Sequence, residues 1–74
     1  MDSALTDVIL DVQTTPGDIL MAQMLDVHQN PLGDAEQVRT NADVERLREH
    51  YGLRRDAVRC SREVRRILDV NSLE

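Results

Sequence analysis

Between Ile19 and Val27 seven of nine side chains are apolar, with only Gln23 and Asp26 interrupting them. A segment apolar on nearly every side has to be covered on most of them. The chain that must supply the cover has only 74 residues, and a chain of this size buries only about 60% of the surface its unfolded form exposes. Below roughly 70–80 residues one core rarely supplies more than about 3–5 kcal/mol without a disulfide, a metal or a partner. Cys60 is the single cysteine, which excludes an internal disulfide. The remaining sources of stability are close helix packing, a second copy of the chain or another protein.

The local signals are read as helices. Leu5, Val8, Ile9 and Val12 share one helical face, although Val8-Ile9-Leu10 also suits a short strand. Thr15-Pro16-Gly17-Asp18 has a capping threonine, a proline suited to the first helical position and a carboxylate in the first turn. The spacing predicts a helix from about residue 16 to 28, ending before Pro31 with His28 in its last turn. Residues 31–41 read as a linker with one helical turn. Asn41 offers a cap, Val44, Leu47 and Tyr51 share a face, and Gly52 is a natural terminator. A last helix is expected over about 54–69, its apolar line running through Ala57, Cys60 or Ser61, Val64, and Ile67 or Leu68.

These elements predict a small all-α protein of three or four helices with a C-terminal helical hairpin. Residues 1–15 form an acidic N-terminal segment, either flexible or a short helix, and residues 16–72 a compact helical domain. Leu73-Glu74 resembles what a cloning site leaves before a purification tag. No apolar run reaches the length of a membrane span, the first residues lack a signal-peptide pattern, and a single cysteine fits a reducing compartment. A cytoplasmic location is the resulting expectation.

The net charge of −5 conceals a division of the chain. Residues 1–38 carry seven acids and no cation, while residues 39–74 carry nine arginines against seven acids. The absence of lysine fits GC-rich coding, as in a bacterial or phage source. The arginine-rich stretch allows a degenerate helix-turn-helix over residues 44–63. In that arrangement Gly52-Leu53 forms the turn, and Arg54, Arg55, Arg59 and Arg62 reach phosphates or base edges. Arg48 stands where the two helices should touch through a small residue, Ser61 stands where a branched aliphatic belongs, and the net charge opposes the duplex backbone.

No cysteine or histidine spacing fits a metal site, and the three glycines form no phosphate-cradling loop. No cofactor, metal or catalytic set is expected, and His28 and His50 carry no assignment. Cys60 reads as a small buried hydrophobe. The expected function is a non-enzymatic regulator or inhibitor that binds another protein, with transcription or defence machinery among its targets. Its expected contact residues are Leu20, Met21, Met24 and Leu25 on the apolar helix and Arg54, Arg55, Arg59, Arg62 and Arg66 on the arginine-rich helix. A homodimer and a DNA-binding regulator are the alternatives, and no membrane partner is expected.

Overall fold

Strand β1 (Ile9–Thr15) alternates strictly, with Leu10 and Val12 turned to one face and Ile9, Asp11 and Gln13 to the other. Leu10 and Val12 are each 1% exposed, so one face of the strand is core. Thr15-Pro16-Gly17-Asp18 then reverses the chain. The Asp18 N–H donates to the Thr15 carbonyl at 3.0 Å, with Gly17 at φ 94° and Asp18 at φ 64°. Proline at the second turn position and glycine with positive φ at the third define a type II turn. Strand β2 (Ile19–Leu25) returns antiparallel to β1, in a register that sets Asp11 opposite Gln23 and Gln13 opposite Met21.

The computed structural model describes residues 8–73. It contains a four-stranded mixed sheet in the order β3-β2-β1-β4, with two α-helices. The all-α expectation is therefore overturned. The apolar segment expected as a helix over 16–28 is strand β2, and the described part of the acidic N-terminal segment is β1, an interior strand. Residues 1–7 of that segment, and Glu74 of the expected cloning remnant, lie outside the described residues.

The physical reason for the β2 correction is burial on both faces. Leu20 and Ala22 point into the core, and Leu25, on the opposite face, is also buried, at 7% exposure. A strand that carries apolar side chains on both faces reads as a continuous apolar run, which periodicity alone does not separate from a buried helix. Pro-Gly added to the ambiguity, since it fits a helix start as well as a type II turn.

After β2 the chain loops back without regular structure. Asp26 takes the N–H groups of His28 and Asn30 at 2.8 and 2.9 Å, and Leu25 bridges to Pro31. His28 thus belongs to a turn and not to a helix end. Short strand β3 (Glu36–Val38) adds antiparallel to β2 at the sheet edge. Helix α1 (Asn41–His50) follows, close to the span expected, although its cap is Thr40 and not Asn41. Thr40 and Asp43 form a reciprocal capping box. At the other end Gly52 has φ 70°, its N–H reaches the Glu49 carbonyl, and the Leu53 N–H reaches that of Arg48. This pair of bonds is a Schellman ending, which needs a residue tolerant of positive φ at Gly52.

The expected 54–69 helix divides. Arg55–Ala57 is a single 3₁₀ turn, and Val58–Cys60 is strand β4, parallel to β1 with Val12 opposite Cys60. Only the second half is helical: α2 (Arg62–Ser72) starts from Ser61, whose hydroxyl accepts the Val64 N–H at 3.1 Å. A strand where a recognition helix should begin removes the helix-turn-helix and the C-terminal helical hairpin. Arg48 instead closes the end of α1, where its guanidinium donates to the Leu53 carbonyl at 2.7 Å and pairs with Glu45.

Both helices cover the same side of the sheet. Val44 of α1 and Val64 and Leu68 of α2 join Leu10, Val12, Leu20, Ala22, Val38 and Leu53 in one core. The half-buried Cys60 packs against it from β4. Asn41 ties the helices together, its N–H donating to Ser72 Oγ at 3.0 Å and its amide to Asp69 at 2.9 Å. Among the described residues no helix is long and apolar enough to cross a membrane.

Candidate binding surface

The face of the sheet away from the helices is the one built unlike a core. The strand registers bring Ile9, Asp11, Gln13 and Thr15 of β1 alongside Leu25, Gln23, Met21 and Ile19 of β2, with Arg59 of β4 beside Asp11. Polar side chains predominate on β1 and apolar ones on β2. No helix lies over them.

At the centre stands Asp11, whose side chain is 9% exposed. Buried carboxylates need hydrogen-bonded partners, because leaving the charge unmatched costs several kcal/mol. Arg59 supplies one, its Nε donating to Asp11 Oδ1 at 2.9 Å. The Gln13 amide supplies another, donating to Oδ2 at 2.5 Å. Arg59 also reaches Gln29 Oε1 at 3.2 Å, which fastens the loop after β2 to the same network. Gln23 donates to the Gly33 carbonyl at 2.9 Å and holds the far side of that loop. The result is a groove of about 310 Å³ on the open face, with Met21, Leu25 and Pro31 along its apolar wall and Asp11, Gln13 and Gln29 along its polar one.

Two further grooves run along the edges of the sheet. Beside β4 a groove of about 640 Å³ is lined by Val58, Arg59, Arg62 and Arg65 with Asp56. Beside β3, facing α1, a groove of about 520 Å³ mixes Glu36 and Asp43 with Arg39, Arg46 and His50. Asp43 is already committed there. The backbone N–H of Arg39, helped by that of Thr40 and by the Arg46 guanidinium, holds its carboxyl below the ordinary value of 3.8. The Tyr51 hydroxyl donates to Glu36 at 3.3 Å, and burial followed by the Glu36 charge pushes its pKa above 10.0.

The residues expected to bind a partner do not share one surface. Leu20 is core at 3% exposure, and Leu25 is buried on the opposite face. Met24 packs half-buried against the core, while Met21 lies half-buried on the open face. Arg54 pairs with Asp56 at 3.2 Å in the loop before β4, beside the exposed Arg55. Arg59 is on the open face, and Arg62 and Arg66 are on α2, where Arg66 pairs with Glu63 at 2.6 Å. Only Met21, Leu25 and Arg59 come together with the Asp11 network.

Sequence reasoning passed over Asp11, Gln13, Ile19 and Gln29. One signal was available: Asp11 is a charge inside an otherwise apolar strand-forming run, and such a charge needs a partner. That partner is 48 residues away, and no local pattern reveals the pairing. Among the described residues no group of three or more His, Cys, Asp or Glu side chains could hold a metal ion. No family model, no curated protein and no solved structure matches this chain.

Proposed function

We propose that the chain is a non-enzymatic protein-binding module that regulates or inhibits its partner, with the helix-free face of the sheet as its contact surface. The observation that supports this most is the contrast on that face. Asp11, its side chain 9% exposed and paired with the half-exposed Arg59, shares that face with half-buried Met21 and with Ile19 at 44% exposure. Apolar side chains beside a hydrogen-bonded polar network offer a partner both anchoring and orienting contacts. Val27 and Leu32, 58% and 48% exposed, extend the apolar surface into the loop that follows β2.

The test begins with a partner captured by affinity purification from the native host and then purified. Its affinity for the wild type is compared with that for Ile19→Asp and Met21→Asp, with Val70→Asp on the exposed side of α2 as the control. A tenfold or greater loss confined to the two sheet variants is expected. Equal affinities across all three variants would remove this face as the contact surface.

A further inference from the structure

We propose that the free edge of β4 is a strand-addition site for an extended acidic segment of a partner protein. This inference rests on the protein-binding reading above and names the chemistry of the partner. Strand β4 ends the sheet and pairs only with β1, so the backbone N–H and C=O groups on its outer side meet no strand among the described residues. An unpaired edge is a template for another extended chain, whose main chain supplies affinity and whose alternate side chains supply specificity.

The charge beside this edge selects the partner. Arg59, Arg62 and Arg65 line the groove against a single aspartate, Asp56, which Arg54 already engages. This is a local positive surplus in a chain whose net charge is −5. Arg62 makes no side-chain hydrogen bond or ion pair among the described residues, and Arg59 and Arg65 are held in place by Asp11 and Asn41. Arg62 thus offers a free fork for bidentate contact with a carboxylate, while Arg59 and Arg65, engaged by Asp11 and Asn41, add positive charge beside it. Ile9 and Val58 give the intervening apolar side chains a place to lie. The opposite edge lacks this selectivity, because Glu36 and Asp43 offset Arg39 and Arg46 along β3.

A nucleic-acid strand fits the groove less well. Single-strand binding uses aromatic platforms for the bases, and the one aromatic residue, Tyr51, sits on the helix side and bonds to Glu36.

The test titrates the ¹⁵N-labelled full chain with an eight-residue peptide alternating glutamate with valine and threonine. Three comparison probes are the lysine-for-glutamate peptide, an acidic peptide N-methylated at alternate residues, and an oligothymidylate of equal charge. The expected result is amide shifts concentrated at Val58, Arg59 and Cys60, with at least tenfold weaker binding of the lysine and N-methylated peptides. Arg62→Glu, placed in the first turn of α2 where an acid is tolerated, weakens the acidic peptide at least fivefold, and Arg39→Glu leaves it unchanged. Absence of binding, shifts centred on Glu36–Val38, or equal affinity for the N-methylated peptide would overturn strand addition. Equal or tighter binding of the oligothymidylate would overturn the acidic-peptide assignment. A captured partner that still depends on Ile19 while the acidic peptide does not bind would remove this inference alone and leave the protein-binding reading standing.

Discussion

The two faces of this sheet are made from alternate residues of the same strands, yet they solve different problems. On the helix side Leu10, Val12, Leu20, Ala22 and Val38 are at most 3% exposed and all apolar. On the open side Asp11 is nearly as well buried, but it is covered by the polar reach of Arg59, Gln13 and, through Arg59, Gln29. The first face gains its stability from apolar area removed from water, at roughly 25 cal/mol per Å². The second gains order from geometry, since a buried charge is tolerated only in one hydrogen-bonded arrangement. A small chain that commits most of its apolar residues to one core is left with a polar network to fix its other face.

Damage to the helix side has the largest expected effect. Leu68 is fully buried between α2 and the sheet, so Leu68→Ala should cost about 2–5 kcal/mol in denaturant unfolding. For a chain this small, that loss should leave a large unfolded fraction in plain buffer. The next largest effect lies on the open side. Arg59→Ala leaves Asp11 buried with only Gln13 as a close partner and should destabilise by about 1–3 kcal/mol. A double-mutant cycle with Asp11→Ala should give a coupling of about 0.5–3 kcal/mol. Additive single effects would show that the network orders nothing.

Smaller effects sharpen the picture of the turns and caps. Nothing lies within 4 Å of a Cβ added at Gly17, yet its φ of 94° disfavours any L side chain. Gly17→Ala should therefore cost about 1 kcal/mol through backbone conformation alone, read as a lower denaturation midpoint with an unchanged m value. Asp43 adds a pH dependence. Its folded pKa lies below the unfolded value of 3.8, so its stabilisation is complete above 3.8 and is lost as pH falls through the folded value. The gap in stability between wild type and Asp43→Ala should be about 1 kcal/mol at pH 7 and should close in acid below 3.8. A gap that stays constant through that range contradicts the capping role. The smallest expected change comes from the exposed open-face side chain: Ile19→Asp should alter stability by less than about 0.5 kcal/mol while it alters binding.

How much of this was legible in the sequence depended on whether an element's signals were local. Helix α1 was readable because Val44, Leu47 and Gly52 mark its face and its end within a dozen residues. Most of α2, the second half of the expected 54–69 helix, was readable from Val64 and Leu68, which keep helical spacing. Strand β4 was not, because Ala57, Cys60 and Val64 mimic a helical line while the pairing that makes 58–60 a strand comes from β1, 48 residues earlier. Strand β2 failed for a different reason, since its apolar residues serve both faces and erase the alternation that marks a half-exposed strand. The candidate site followed the same rule. Met21, Leu25 and Arg59 could be singled out by residue type, but their meeting around Asp11 is a property of strand register alone.

Site-specific photocrosslinking in the native host decides whether the helix-free face is the contact surface. A benzophenone side chain is placed at position 19 on the open face or at position 70 on α2, both exposed in the isolated chain. One dominant crosslinked protein from position 19, and none from position 70, is the expected result. The same crosslink from position 70, with none from position 19, would contradict it.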